Sequence, residues 1–365
     1  MTAIVGVALI AAAFAATQPW LDQHFLPSFF LPRAWYVRIE TAVRAGIAFV
    51  GFLLAVVARS RLAGVAARAP RTIGRAALAA ALALAAGEVV LERVHLRPTG
   101  WLVADEEPQR RPDARLGWGL APARTGRSII GGRTIEYAID AAGYRVRSDR
   151  DAVDPDRPTI VFAGESVMFG EGLAWDETIP AQAGAMLGIQ PANLAVHGYS
   201  TDQAYARLAQ ELPRFRRPTA VVLLFMTALF GRNLDDDRPH LDPGLGWHPA
   251  EQSPRLMALA ALLVPYRTTR TVEVGVRTTR AVLRATVELA RARMAEPLVV
   301  IPHFGSEDDA ERLLRRRIVD EQVPYVRVGL DADWRLPWDR HPNAHAAHEI
   351  AAAIAAQLRH GEARR

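Results

Sequence analysis

Ser166 stands in "TIVFAGESVMFGEGL" (159–173), where an apolar run stops at Gly164 and a glycine-rich stretch follows. A serine becomes a nucleophile only with a base to take its proton and a group to orient that base. The far end of the chain offers both in "WDRHPNAHAAHE", where Asp339 and His341 are two residues apart. In an extended segment residues i and i+2 face the same way, and Pro342 biases His341 toward extended backbone. One short loop can then give a carboxylate to one imidazole nitrogen and leave the other for Ser166. The chemistry would be acyl transfer through a covalent serine ester. Each piece also has a plainer reading: a serine after a strand is an ordinary helix N-cap, and the second piece can be a surface loop with Asn343 as a cap.

The elements that must position these residues alternate from Pro158 onward. "TIVFAG", "ANLAV", "TAVVLLF", "LVVIP" and "YVRV" read as strands. "TIPAQAGAML", "TDQAYARLAQEL", Pro254 to Leu263, Arg270 to Met294, "DDAERLLRRRIVDE" and "NAHAAHEIAAAIAAQL" read as helices. Short apolar strands alternating with helices imply a parallel sheet covered on both faces. Ligands bind such sheets at the carboxyl ends of the strands, where helix N-termini offer unpaired N–H groups. A serine at that turn places its hydroxyl at the mouth of the sheet and its own N–H toward a developing oxyanion. Gly164 permits a tight turn.

Three blocks in order, "GESVMFGEGL", "NLAVHGYSTDQ" and "DRHPNAHAAH", resemble the SGNH (GDSL-like) hydrolase family over roughly Pro158 to Leu358. The resemblance implies a three-layer, flavodoxin-like α/β fold with a parallel sheet and a serine esterase or acyl-transfer mechanism without a cofactor. By position, Ser166 resembles the nucleophile, Gly198 the glycine whose N–H joins that of Ser166 in the oxyanion hole, and Asp339 and His341 the acid and base. Their D-x-H spacing is like that of the alginate-acetylation branch. Two departures stand out. Glu165 replaces the usual aspartate, and Ala228-Leu229 occupy the place of the third block's Asn-Asp pair. Asn233 is the first candidate to supply the missing side-chain donor, with Thr227 and Arg232 as others. Losing one such donor without replacement raises the barrier by roughly 3–4 kcal/mol.

Other polar clusters compete for attention. His341, His345 and His348, or Asp235, Asp236 and Asp237 with His240, invite a metal reading, but no HExxH pattern is present. The expectation is no metal, with His348 packed behind the catalytic loop and the aspartates in a solvated loop. His197 and Tyr199 flank Gly198 and either touch substrate or fill space beside a strand end. Trp334 and Trp338 are either a sugar-stacking wall or core.

All 44 basic residues are arginine, set against 39 acids, for a net charge of +5. They are scattered, which argues against a nucleic-acid partner. The absence of cysteine excludes disulfides and thiol nucleophiles. Near the start, Met1 to Leu21, Ala45 to Ala58 and Ala76 to Leu91 are apolar stretches approaching the roughly 20 residues of a membrane span. Arginines are densest between the second and third, which places that loop in the cytoplasm and the chain after about Arg97 outside. The expected organisation is a transmembrane anchor of two or three helices over 1–96, a connector with a small β element over 97–155, and an SGNH hydrolase-like domain over 156–365. The expected function is a deacylase of envelope polysaccharide or lipid, held in the inner or plasma membrane with its catalytic domain on the periplasmic or extracellular side. The same residues would serve an O-acetyltransferase of cell-surface glycans, and a retired site would leave a membrane-tethered binding domain.

Overall fold

The structure is a computed structural model and describes residues 2–24, 33–57, 64, 68–91, 106–234, 238–250, 269–337 and 340–362. Asp339, Trp338, Asp235 to Asp237 and the expected helix Pro254 to Leu263 lie outside the described residues. The chain divides into two compact units, Met1–Leu96 with Ser253–Thr269, and Arg97–Gln252 with Arg270–Arg365.

The first unit contains α1 (Thr2–Ala15), α2 (Gln18–His24), α3 (Arg33–Phe52, continuing as a π-helical turn over Leu53–Val57) and α4 (Pro70–Leu91). α1 and α3 pack closely because glycines meet where they cross. A Cβ on Gly6 would fall 2.5 Å from the Gly51 carbonyl oxygen, and one on Gly51 2.7 Å from that of Gly6. Small residues at such crossings let two backbones approach. Arg44 Nε donates to Ala13 O at 3.0 Å, and Gln18 Nε2 to Glu40 Oε2 at 2.7 Å. Phe14, Phe49, Leu82 and Val90 are exposed. One helix, Val37–Val57, is long and apolar enough to cross a membrane, and Ala3–Ala15 is a shorter apolar helix. Three apolar stretches were expected; among the described residues one meets the length and hydropathy of a span.

The second unit holds β1 (Arg110–Asp113) paired with β2 (Gly117–Leu120), β3 (Arg124–Ile130), β4 (Arg133–Ile139), β5 (Arg145–Val146) and β6 (Thr159–Ala163). α5 (Ser166–Phe169), α6 (Ile179–Leu187), β7 (Gln190–Asn193), α7 (Thr201–Glu211) and β8 (Pro218–Leu224) follow. The small hairpin β9 (His240–Leu241) and β10 (Trp247–His248) comes next. The chain closes with α8 (Thr269–Ala292), β11 (Glu296–Phe304), α9 (Asp309–Ile318), β12 (Tyr325–Leu330) and α10 (Ala344–Glu362). Eight strands form one sheet in the order β12-β11-β8-β6-β7-β5-β4-β3. The first five are parallel. Numbered along the chain as strands 1 to 5, they run 2-1-3-4-5 across the sheet, the flavodoxin-like order. Right-handed crossovers then put α6 on one face and α7, α8 and α9 on the other. α10 returns to pack against α6, β11 and β12. The fold is thus the three-layer α/β arrangement expected.

Local sequence explains these elements. β6 is β-branched and apolar and buried along its whole length, as a central parallel strand must be. Thr178 Oγ1 caps α6 by accepting from Ala181 N, and Gly188 ends it in the left-handed region at φ 66°. The stretch 97–155 differs from expectation. Its described part is no connector: β5 pairs antiparallel with β7, and β4 and β3 follow outward, so a meander extends the parallel sheet at its open edge. The β3–β4 turn is Gly131-Gly132, with φ 55° and 80°, the conformation a two-residue hairpin loop requires.

Candidate active site

In a flavodoxin-like sheet the ligand crevice lies where the strand order reverses, between β6 and β8. Ser166 is the first residue after the β6 turn. Glu165, not Ser166, is the N-cap of α5: it has extended backbone, and its Oε2 accepts from Val167 N at 3.1 Å. The capping task therefore falls to the neighbour and leaves the serine hydroxyl for other partners. Gly164 is required by packing, since a Cβ there would lie 2.7 Å from that of Met168 and 3.2 Å from that of Leu224.

Ser166 Oγ lies 2.8 Å from His341 Nε2 and 2.6 Å from Glu165 Oε2. One hydroxyl proton faces two acceptors, and attack on a carbonyl requires it to go to the imidazole. Both Ser166 and His341 are buried. Glu171 Oε2 stands 3.7 Å from the same imidazole nitrogen. The loop after β12 fixes His341. Arg335 bridges to Pro342 in antiparallel register, Leu336 N donates to His341 O at 2.6 Å, and Arg335 Nη1 donates to Arg340 O at 2.7 Å. Arg340 takes the turn at φ 66°. Asn343 Oδ1 then caps α10 by accepting from Ala346 N at 2.9 Å. The cap and the imidazole are both present, two residues apart.

The chain beyond β7 keeps running along β6 toward Gly198. Leu194 N donates to Phe162 O at 2.9 Å and Val196 N to Gly164 O at 3.3 Å. Gly198 sits at φ 84°, and a Cβ there would press on Trp118 at 3.1 Å. Trp118 Nε1 donates to His197 O at 3.1 Å, and Arg238 Nη1 to Gly198 O at 2.8 Å. Among the described residues, neither the Ser166 nor the Gly198 backbone N–H makes a hydrogen bond within the protein.

Asn233 does not take the expected donor role in this arrangement. Its Nδ2 donates to Thr201 Oγ1 at 3.0 Å and to Thr279 Oγ1 at 2.9 Å, while its Oδ1 accepts from Thr201 N. Both amide hydrogens are spent tying the 3-10 helix Thr227–Leu234 to α7 and α8. His348 lies exposed on α10 with Nδ1 2.7 Å from Gln182 Oε1, and His345 lies edge-on to Trp334. Tyr199 is core: fully buried, its hydroxyl donates to Trp118 O at 2.5 Å, and burial pushes it up to about 12. A cavity of about 420 Å³ opens at the opposite, amino end of the strands, lined in part by Arg217, Arg293 and Met294, away from the Ser166–His341 pair.

Several supports of the site come from the stretch read as a connector. Arg145 on β5 is wholly buried. Its Nη1 donates to Phe169 O at 2.7 Å and Gly170 O at 2.6 Å, and its Nη2 to Leu173 O at 2.6 Å. Tyr137 on β4 accepts from Gly172 N at 3.0 Å. The chain leaving α5 is thus held from the meander. The only sequence signal for these residues was the alternation around Gly131-Gly132; nothing in a lone arginine marks it as buried.

His197 is held neutral. Burial chiefly, then the charges of Arg110, His341 and Arg232, pull it down to about 3. In the unfolded chain a histidine titrates near 6.5. Between those values the unfolded state binds a proton that the fold refuses. This contribution to stability is therefore complete above about pH 6.5 and falls as pH drops toward 3, by roughly 1.4 kcal/mol per unit. Replacing His197 by leucine is expected to remove about 2–3 kcal/mol of the wild type's loss between pH 7 and 4.5. Urea unfolding at the two pH values measures this, and parallel acid limbs for the two proteins would refute it.

No protein-family model matches the sequence, and no curated protein matches it. Among solved structures, a candidate lipolytic protein of the G-D-S-L family from Desulfitobacterium hafniense aligns at 14% identity over 55% of this chain and 98% of its own, with a TM-score of 0.37. An acetyl xylan esterase from the rumen bacterium Butyrivibrio proteoclasticus aligns at 11% identity over 58% of this chain and 66% of its own, with a TM-score of 0.36. A psychrotrophic esterase from Pseudoalteromonas aligns at 14% identity over 56% and 98%, with a TM-score of 0.35. The assignment of chemistry rests on the geometry of Ser166 and His341 alone.

Proposed function

We propose that this chain is a membrane-anchored serine esterase of the SGNH type, removing O-acyl groups from envelope polysaccharide or lipid. The observation that carries the reading is the 2.8 Å approach of Ser166 Oγ to His341 Nε2 across 175 residues of sequence, at the switch point of a flavodoxin-like sheet. Ser166 Oγ attacks the acyl carbonyl and its proton passes to His341 Nε2. The imidazolium returns that proton to the leaving alcohol, and water repeats the cycle on the serine ester. The N–H groups of Ser166 and Gly198 receive the oxyanion. Asp339 takes the role of orienting acid on the other imidazole nitrogen. The Val37–Val57 helix and the dense arginines between Arg59 and Arg75 support an anchor with its catalytic unit on the periplasmic or extracellular side.

A membrane-impermeant fluorophosphonate applied to spheroplasts tests activity and side together. The expected result is a single adduct mapped to Ser166, absent from Ser166→Ala. Labelling only after lysis would sink the location, and no labelling in either condition would sink the chemistry. Release of free acid from an acetylated glycan, rather than transfer to an added oligosaccharide, distinguishes hydrolysis from acyl transfer.

A further inference from the structure

We propose that Arg232 is the third oxyanion donor of this site, a charged guanidinium doing what a side-chain carboxamide does in the third block of the resemblance. The assignment rests on the acyl-transfer reading of Ser166 and His341. A third donor has to come from the segment leaving β8, because β6 and β8 flank the crevice. That segment is the 3-10 helix Thr227–Leu234. Asn233 on it is turned toward Thr201 and Thr279.

Arg232, one residue earlier, reaches the other way. Its Nη1 lies 3.3 Å from Tyr199 O, the residue after Gly198, and 3.7 Å from Glu165 Oε2. That carboxylate oxygen is itself 2.6 Å from Ser166 Oγ. One guanidinium therefore spans the two segments that carry the backbone donors. Its side chain is 19% exposed, so its charge is felt with little screening by water. With five N–H groups in a planar fork, an arginine serves several oxygens at once. As negative charge grows on substrate, that oxygen competes with the Glu165 carboxylate for the same guanidinium.

The step balances without any co-reactant. Ser166 Oγ bonds to the carbonyl carbon while its proton goes to His341 Nε2 and the π pair moves onto the carbonyl oxygen. Ser166 N–H, Gly198 N–H and Arg232 bond to that oxygen. Collapse restores the carbonyl and breaks the bond to the alcohol oxygen, which leaves with the proton from His341. Glu165, longer than the aspartate it replaces, is the group that holds Arg232 beside the nucleophile.

The test uses the full chain in detergent. It measures the rate of Ser166 modification by a fluorophosphonate, in which charge also develops on an oxygen, and kcat and KM with p-nitrophenyl acetate. Arg232→Ala is expected to slow modification and kcat by about 10²- to 10³-fold, with KM changed by less than about threefold. Arg232→Lys recovers part of the loss, and added guanidinium ion restores part of the rate of Arg232→Ala. Modification of Arg232→Ala within threefold of wild type overturns the proposal. So does a slow Arg232→Ala whose KM moves with kcat and which neither lysine nor guanidinium rescues, since that marks a residue holding only the helix. A wild type that does not label at Ser166, like Ser166→Ala, overturns the acyl chemistry itself and this assignment with it.

Discussion

His341→Ala is expected to hydrolyse esters some 10⁴- to 10⁶-fold more slowly than the wild type at neutral pH, with little change in KM. The reason is the 2.8 Å contact between its Nε2 and the Ser166 hydroxyl, both buried in the fold. Without the imidazole, the serine proton has only Glu165 Oε2 within bonding distance among the described residues. A carboxylate is a weaker base than an imidazole, and this one is already engaged by Val167 N as a helix cap. Groups acting on one proton do not contribute additively, so Ser166→Ala/His341→Ala should be no slower than either single variant. Steady-state hydrolysis in detergent measures all four proteins. A His341→Ala enzyme within tenfold of wild type would show that another group takes the proton.

Arg145→Ala is expected to cost about 3–5 kcal/mol of stability, since three carbonyls of the turn after α5 lose a charged donor in a dry interior. Phe169 O keeps Asn193 Nδ2 and Gly170 O keeps Leu173 N, so Leu173 O is the one left without a second donor among the described residues. The guanidinium also lies over the rings of Tyr137 and Phe169, which stack on each other, 4.8 and 4.7 Å from their centres. Burial brings Arg145 down to about 10, which leaves it charged at neutral pH. Arg145→Lys keeps the charge but not the planar fork that reaches Phe169 O, Gly170 O and Leu173 O together. It should recover less than half the loss. Urea unfolding measures both variants, and a change under about 1 kcal/mol for the alanine would mean that these bonds are replaced by others. Because α5 starts at Ser166 and ends at Phe169, whose carbonyl Arg145 holds, the alanine variant should also lose rate in proportion to its disorder.

The parallel core could be read from apolar runs. "TIVFA", "TAVVLL" and "LVVIP" are too short and too uniformly apolar for surface helices, and each became a buried central strand. The β3–β4 hairpin was also written in the chain, in Gly131-Gly132 between alternating residues, but the surrounding proline and charge masked it as linker. What fills the third donor position had no local signature. Asn233 and Arg232 are neighbours, and which one faces the crevice depends on where Thr201 and Thr279 lie.

The flavodoxin-like order was what the family resemblance implied. From residue types alone follow the parallel sheet covered on both faces, the apolar stretches that open the chain, and the pairing of a serine turn with a distant histidine loop. These depend on periodicity and on chemistry that tolerates few substitutes, and both are local. The tertiary structure alone decided that Glu165 rather than Ser166 caps the helix, that Arg145 holds the turn after α5 from the edge meander while Trp118 reaches His197 from the separate β1–β2 hairpin, and that the Asn233 amide is spent on Thr201 and Thr279. Each of these is a competition for hydrogen bonds among segments far apart in the chain, and no spacing along a sequence records who wins it.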